Sequence, residues 1–225
     1  MKDLLTSHPF VLGVGSKSVL KAAGVKTLID LPGVGENLQD HQRLQLSYQL
    51  KDNYTSFDKL KYDQAYAAQQ RALYDENELS AYDYAASAYS YQNWSSVLGA
   101  EKEQELIATA QRVAGELDNV VDNKKLEWLS NPGIAEAEFL LSDGYSGNKG
   151  YPKQGDPLYG KGFTTLFAAL MHPLARVSVH INTTDAAAKP VYDPAFVSND
   201  YDFQAMVELA KYLRNIATTE PFATV

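Results

Sequence analysis

A long amphipathic pattern over residues 101–129 restricts most strongly what this chain can fold into. In EKEQELIATAQRVAGELDNVVDNKKLEWL the apolar residues recur at i, i+3, i+4 and i+7, and acidic residues crowd the first turn, where the helix dipole favours them. The spacing therefore predicts one long helix with a buried face. The residues predicted on that face are Leu106, Ile107, Ala110, Val113, Ala114, Leu117 and Val121.

Other segments have the two-residue period of strands. QRLQLSYQL, which follows His41, alternates polar and apolar side chains, and VKTLIDL is predicted as a strand that ends at Pro32 and Gly33. FTTLFAALMHP and ARVSVHINTTD are predicted as two strands broken by Pro173. The segment from Asp143 to Gly162 is dense in Gly, Pro, Asp and Tyr, so it is predicted as a long surface loop.

Further helices are predicted on either side of these strands. GSKSVLKAAG predicts a short helix with Ser16 as N-cap and Gly24 as stop. DFQAMVELAKYLRNIATT predicts a helix with Asp202 as N-cap and one apolar side made of Phe203, Met206, Val207, Ala210, Leu213 and Ala217. SFDKLKYDQAYAAQQRALYDENEL predicts another, with Phe57, Leu60, Ala65, Ala68 and Leu73 near its buried side. Helices and strands mix without regular β-α-β alternation, so the predicted fold class is α+β.

The charge balance limits the partners that the chain can have. The 28 acidic and 20 basic residues give a net charge of −8, and the basic residues are scattered, which argues against a nucleic-acid partner and disfavours an acidic ligand. No apolar run approaches the roughly 20 residues that span a bilayer, so no membrane insertion is expected. The segment MKDLLTSHPFVLGVG lacks the apolar core of a signal peptide.

The absence of cysteine removes disulfides, thiolate catalysis and cysteine-based metal sites. The four histidines, at positions 8, 41, 172 and 180, include no pair with the i, i+4 spacing of a helical zinc motif. We therefore expect no metal.

The glycines of GVGSKS and LPGVGENLQDH invite a nucleotide-binding interpretation. A dinucleotide fingerprint needs three glycines, G-x-G-x-x-G, and Ser18 stands where the third would be. Asp30 also follows at only about fifteen residues rather than about twenty. A turn before a short helix is the favoured interpretation of Gly13 and Gly15, and a chain reversal is favoured at Gly33 and Gly35.

Two long stretches nevertheless resemble one enzyme family. VLGVGSKSVLKAAGVKTLIDLPGVGENLQDH and MHPLARVSVHINTTDAAAKPVYDPAFVSNDYDFQAMVELAKYLRNIATTEP resemble, in the same order, segments of the glucose–methanol–choline (GMC) flavoprotein oxidoreductases. Between them, KDNYTSFDKL, YDYAASAYSYQNW and FLLSDGYSGNKGYP are similar to the fungal alcohol dehydrogenase-like branch. The resemblance implies a mainly antiparallel sheet flanked by helices. It also implies that residues 1–41 end an FAD-binding-domain region, that 42–225 form a substrate-binding domain, and that 172–225 begin the C-terminal region.

The resemblance carries a functional expectation. In the family, an alcohol or sugar donor gives a hydride to FAD while a histidine takes the hydroxyl proton. The FAD fingerprint and the catalytic histidine lie in family segments that this sequence does not include, and His41 is not that histidine. The resemblance thus implies no catalytic and no cofactor-binding residue here. The chain is expected neither to retain FAD nor to be active alone.

Three residues are predicted to line the family's substrate pocket, namely Phe163, Phe167 and His172, together with the loop from Asp143 to Gly162. Sheet core and a surface loop are the alternative interpretation of the same residues. A non-catalytic alternative also stays open, in which the aromatic stretch from Tyr82 to Trp94 makes the chain a binding or interaction module. The N-x-[ST] sequons at Asn53, Asn93 and Asn182 are predicted glycosylation sites that would suit a secreted parent.

Overall fold

The computed structural model of the chain describes residues 10–83, 87–117 and 120–225. The helices are α1 (Lys17–Ala22), α2 (Lys59–Tyr62), α3 (Gln64–Asp75), α4 (Trp94–Leu98), α5 (Ala100–Leu117), α6 (Val120–Leu129), α7 (Asp200–Ala217) and a 3₁₀ turn (Phe222–Thr224). The strands are β1 (Val14–Gly15), β2 (Ile29–Asp30), β3 (Gln42–Gln49), β4 (Ser87–Gln92), β5 (Ala137–Asp143), β6 (Phe163–Leu170), β7 (Ser178–His180) and β8 (Val191–Asp193). The predicted α+β class is confirmed. None of the helices described here is long and apolar enough to cross a membrane.

The chain forms two compact units. The first, called the N-terminal unit, comprises the residues up to Gln42 together with Pro173–Phe203, and the second, called the sheet unit, comprises Arg43–His172 and Gln204–Val225. The assignment of residues 1–41 and 42–225 to an FAD-binding-domain tail and a substrate-binding domain stays a prediction.

The sheet unit is built on a four-stranded sheet with the order β3-β6-β5-β4. Strand β5 pairs antiparallel with both neighbours, so that Leu140 lies opposite Phe167 on one side and Tyr89 on the other. The segment of β4 is rich in Tyr, Ser and Ala, and no strand was predicted there because apolar alternation is missing. Strand β3 lies where alternation predicts it, and β6 lies within the predicted strand FTTLFAALMHP.

Helix α5 packs the face that its periodicity predicts, burying Leu106, Ile107, Ala110, Val113 and Ala114. The helix predicted over 101–129 corresponds to α5 and α6, and residues 118 and 119 between them lie outside the described residues. Leu117 and Val121 are exposed rather than buried. Their predicted burial is therefore wrong, because the period of a helix does not show where along its length packing stops.

The helix predicted after residue 56 is likewise two helices, α2 and α3. Asp63 separates them with an extended backbone, and its carboxylate accepts a hydrogen bond from the amide of Tyr66 at 2.9 Å, which caps α3. Ala65 and Ala68, predicted near the buried side, are exposed. Alanine adds little apolar area, so it gives a weak signal of which face is buried.

Helix α7 begins two residues before its predicted cap. The side chain of Asn199 accepts a hydrogen bond from the amide of Asp202 at 2.9 Å, and the prediction of Asp202 as N-cap is wrong. The Asp202 carboxylate is instead fully buried and accepts hydrogen bonds from the amides of Leu174 and Ala175 at 2.8 and 2.9 Å and from Gln42 at 2.7 Å. Two members of its predicted apolar side are exposed, and these are Phe203 and Val207.

The N-terminal unit contains two small sheets, parallel β1–β2 and antiparallel β7–β8. Helix α1 ends at the predicted position, where Gly24 takes a φ of +76°. The strand predicted for VKTLIDL shortens to β2, whose residues are both exposed. A small core forms beside it from Phe10, Leu20, Ala23 and Ile181.

Candidate functional site

One face of the four-stranded sheet carries the side chains that sequence reasoning marked as functional. Strand alternation puts Phe163, Thr165 and Phe167 of β6 on this face, and the register adds Leu140 of β5 and the tyrosines Tyr89 and Tyr91 of β4. We call it the aromatic face. Tyr89 and Tyr91 are 60% and 55% exposed, so the face is uncovered along β4.

The opposite face of the sheet packs on helix α7. The rings of Phe139 and Tyr212 have their centroids 4.8 Å apart, and the hydroxyl of Tyr212 donates to Gln92 Oε1 at 3.1 Å. Helix α7 thus contacts the opposite face, whereas the aromatic face is exposed along β4 and its β6 side chains are buried.

A cavity of about 570 Å³ lies beside β3, between that strand and the start of the loop before β6. Polar side chains dominate its lining, namely those of Arg43, Gln45, Ser47, Tyr145, Ser146 and Asn148. Its volume is in the range of small-molecule sites. Arg43 also contacts the buried ring of Phe167, because its guanidinium carbon lies over that ring at 5.4 Å from the centroid.

Hydrogen bonds hold the cavity wall in one arrangement. Ser47 Oγ lies 2.8 Å from Thr165 Oγ1, and the hydroxyl of Thr165 donates to the carbonyl of Gly144 at 2.7 Å. The side-chain amide of Gln45 donates to the carbonyl of Ser146. Strand β3 is thereby joined both to β6 and to the loop.

A buried carboxylate fixes both ends of this loop. Asp58 is fully buried and accepts hydrogen bonds from the amides of Tyr145 and Phe163, at 2.9 and 3.1 Å, and it is paired with Lys61 Nζ at 3.1 Å. Gly144 takes a φ of +131°, and a Cβ there would lie 3.2 Å from Asp58 Oδ1. The position of the loop that forms the cavity wall therefore depends on the buried charge of Asp58.

Tyrosine rings of the loop and of α2 lie close to one another. The ring of Tyr151 lies with its centroid 6.0 Å from that of Tyr62 and 6.3 Å from those of Tyr145 and Tyr159. Its hydroxyl donates to the carbonyl of Lys161 at 2.7 Å. Burial, assisted by the negative charge of Asp58, raises the pKa of Tyr151 to about 12, so this hydroxyl stays a donor at neutral pH.

His172 does not line the cavity and lies past the end of β6. Its Nδ1 is 3.0 Å from Oε2 of Glu136, and its ring centroid is 4.8 Å from that of Trp128. Glu136 is only 1% exposed, and desolvation raises its pKa although His172 and Lys125 act in the opposite direction. Phe163 and Phe167 do not line the cavity either and are buried in the sheet, Phe163 against Tyr145 and Phe167 beneath Arg43, so the assignment of all three residues to a substrate pocket stays a prediction.

The predicted glycosylation sites differ in environment. Asn53 and Asn182 are exposed. Asn93 is half-buried and caps α4, because its Oδ1 accepts from the amide of Ser96 at 2.9 Å while its Nδ2 donates to the carbonyl of Pro132 at 2.8 Å. Both polar atoms of Asn93 are therefore engaged in the fold.

Sequence reasoning missed the polar residues of the cavity. Arg43, Gln45 and Ser47 alternate with the apolar residues of QRLQLSYQL, so the pattern did contain a signal that they share a face. The role of Asp58 at the loop had no such signal, because the amides of Tyr145 and Phe163 that it accepts from lie far away in the chain. The described residues contain no group of three or more His, Asp or Glu side chains that could hold a metal ion.

Comparison with known proteins finds similar sequences in one family of oxidoreductases. No family model matches it. It is 28% identical over 215 residues to the GMC oxidoreductase family protein Mala s 12 of Malassezia sympodialis and 30% identical over 219 residues to the alcohol oxidase of Candida boidinii. These matches cover 95% and 94% of this chain but 31% and 30% of the relatives.

A solved structure supports the same relationship at the level of the fold. The chain superposes on an FAD-dependent oxidoreductase from Chaetomium thermophilum with a TM-score of 0.74 at 21% identity, over 96% of this chain and 36% of that one. Fold and sequence thus agree over nearly the whole chain, which spans about a third of the length of the curated relatives it matches. The chain belongs to the glucose–methanol–choline oxidoreductase family.

Proposed function

We propose that this chain supplies the substrate-binding part of an FAD-dependent oxidoreductase that acts on CH–OH groups of alcohol or sugar donors. The single observation that carries the proposal is the polar cavity on the aromatic face, with Arg43 and Gln45 on one wall and the loop from Tyr145 on the other. Preformed concave sites with few converging polar groups are where small molecules bind.

The residues at the cavity suit a hydroxyl-bearing ligand. Ser146 and Asn148 offer both donors and acceptors, and Tyr145 offers aromatic surface beside them. In this proposal the cavity orients the donor through the polar residues that line it.

The glycine turn of the N-terminal unit does not fit a flavin dinucleotide. A Cβ at Gly13 would lie 2.5 Å from the carbonyl oxygen of Lys26, and one at Gly15 would lie 2.6 Å from the ring of Phe10. These glycines therefore make room for the chain's own atoms rather than for a pyrophosphate. The first amide of α1, on Lys17, is already bound by the carboxylate of Asp30 at 3.0 Å.

We infer from this turn that the isolated chain neither retains FAD nor oxidises alcohols. To test it, the purified chain is incubated with FAD, desalted, and examined for flavin absorbance near about 450 nm and for turnover of an aryl or sugar alcohol. We expect neither signal. A chain that elutes with stoichiometric flavin and consumes alcohol would refute this part of the proposal.

A second candidate function is that of a non-catalytic binding or interaction module. The exposure of Tyr89 and Tyr91 favours it, since exposed aromatic side chains are common at partner sites. Trp94, at the other end of the predicted aromatic stretch, is buried, and Tyr84 lies outside the described residues. Mass spectrometry of the natural product separates the two candidates: a polypeptide of this length alone favours the module, and a longer one favours the oxidoreductase.

A further inference from the structure

We propose that the cavity beside β3 binds the carboxylate of a small organic ligand, with Arg43 as the group that pairs with its charge. The further claim that the alcohol donor itself carries this carboxylate rests on the proposed function. The claim that the cavity binds a carboxylate depends only on residues of the sheet unit.

Arg43 is an exposed cation to which the described part of the chain gives an aromatic neighbour but no anionic partner. Its guanidinium lies over the ring of Phe167, which is buried, and a stacked guanidinium keeps the N–H groups at its edge available. Within the described ranges no carboxylate forms an ion pair with Arg43. The planar fork of an arginine matches the two oxygens of a carboxylate, which makes this edge a site for that group.

The neighbours of Arg43 in the cavity add donors and no negative charge. The described residues that line the cavity include no Asp and no Glu, and Ser146 and Asn148 can each donate a hydrogen bond to an anion. Asp58 lies beneath the wall, but its charge is compensated by Lys61 and by the amides that it accepts. The net charge of −8 disfavours acidic ligands for the molecule as a whole. Whether an anion binds in this cavity depends on the electrostatic potential inside it, which the positive charge of Arg43 makes more favourable.

The cavity wall is preorganised, so little ordering is required when a ligand binds. The loop is fixed at Tyr145 by Asp58 and at Ser146 by Gln45, and Arg43 is fixed by Phe167. A fixed cation and fixed donors lose less conformational entropy on binding than flexible ones. Arg43 is exposed, as Arg71 is, but Arg71 is already paired with the carboxylate of Asp75.

The test is a pair of ligands that differ only in charge, added to the full 225-residue chain. Benzoate and benzamide have the same shape, and binding is followed by isothermal titration calorimetry and by amide chemical shifts. We expect benzoate to bind at least ten times more tightly than benzamide, and its affinity to fall with added salt. Equal affinities, or tighter binding of benzamide, would overturn the inference.

Two variants assign the preference to one residue. Arg43→Gln should reduce the affinity for benzoate to that for benzamide, while Arg71→Gln on α3 is the matched control and should leave the ratio unchanged. Circular dichroism checks that both are folded, and Arg43→Lys, which keeps the charge without the fork, should retain an intermediate preference. A full preference in Arg43→Gln would also overturn the inference. Because no flavin is involved, either failure leaves the oxidoreductase proposal untouched.

Discussion

The carboxylate of Asp58 accepts a hydrogen bond from the amide of Tyr145 at 2.9 Å, although the two residues lie 87 positions apart in the chain. The same carboxylate accepts from the amide of Phe163 at 3.1 Å, where the loop ends and β6 begins. One buried side chain therefore closes the loop that forms a wall of the cavity. Tyr145 in turn lies edge-on against Phe163, with ring centroids 4.9 Å apart.

Replacing this carboxylate should destabilise the protein. Asp58→Asn removes the charge that Lys61 and two amides share, and breaking a buried ion pair on one side is expected to lower the free energy of unfolding by about 2 to 4 kcal/mol. Urea denaturation measures the change. Asp52→Asn is the control, because its carboxylate is exposed and paired only with Lys161, and it should cost less than about 0.5 kcal/mol. Equal effects of the two substitutions would contradict the role given to Asp58.

The hydroxyl of Tyr151 should stabilise the loop in a pH-dependent way. Tyr151→Phe leaves the carbonyl of Lys161 without its donor, which is expected to cost about 1 kcal/mol at neutral pH. The folded pKa of Tyr151, about 12, lies above its unfolded value. The stability it contributes is therefore complete below pH about 10 and is lost as pH rises through about 12. Denaturation of wild type and variant between these pH values should show the difference shrinking, and a constant difference would argue against it.

Glu136 should make the protein less stable as the pH rises. Its folded pKa is raised, mainly by desolvation, so its contribution is complete below the unfolded pKa of about 4 and declines as the pH passes the folded value. His172 and Lys125 limit the decline because their positive charges favour the ionised form. Glu136→Gln should flatten the slope of unfolding free energy against pH in this range. An unchanged slope in the variant would show that the carboxyl does not titrate differently in the fold.

The sequon at Asn93 should matter for stability whereas the one at Asn53 should not. Asn93→Ala removes the cap of α4 and the bond to the carbonyl of Pro132, with an expected cost of about 1 kcal/mol. Asn53→Ala, at an exposed position, should change the melting temperature little. Thermal unfolding of the two variants side by side measures this, and a larger shift for Asn53→Ala would contradict the assignment of Asn93 as a cap.

The local sequence pattern predicted the helices and strands whose buried residues recur regularly. It failed where contacts with residues far away in the chain determine the role of a side chain. The buried face of α5 and the strand β6 follow directly from period and β-propensity. Asp202 looked like a cap because of its position before an apolar helix, yet Gln42, 160 residues earlier in the chain, shares its carboxylate. Residues at such separation leave no trace in a local window.

The same limit applied to the candidate site. Phe163 and Phe167 could be placed on a strand, and the loop before them could be recognised from its glycines and prolines. The partnership of Arg43 with Phe167, and the separation of His172 from both, depend on which strands are neighbours in the sheet. Strand order is a property of the folded chain, and the sequence of one protein does not show it.

The central claim is that the chain carries a surface for the alcohol donor and none for the flavin. It is tested most directly by amide chemical shifts of the labelled chain, titrated once with an aryl alcohol and once with FAD. We predict that the alcohol shifts the amides of Arg43, Gln45 and Tyr145 in a saturable way, and that FAD leaves Gly13 and Gly15 unshifted. Saturable shifts at the two glycines with FAD, and none around the cavity with alcohol, would contradict the account.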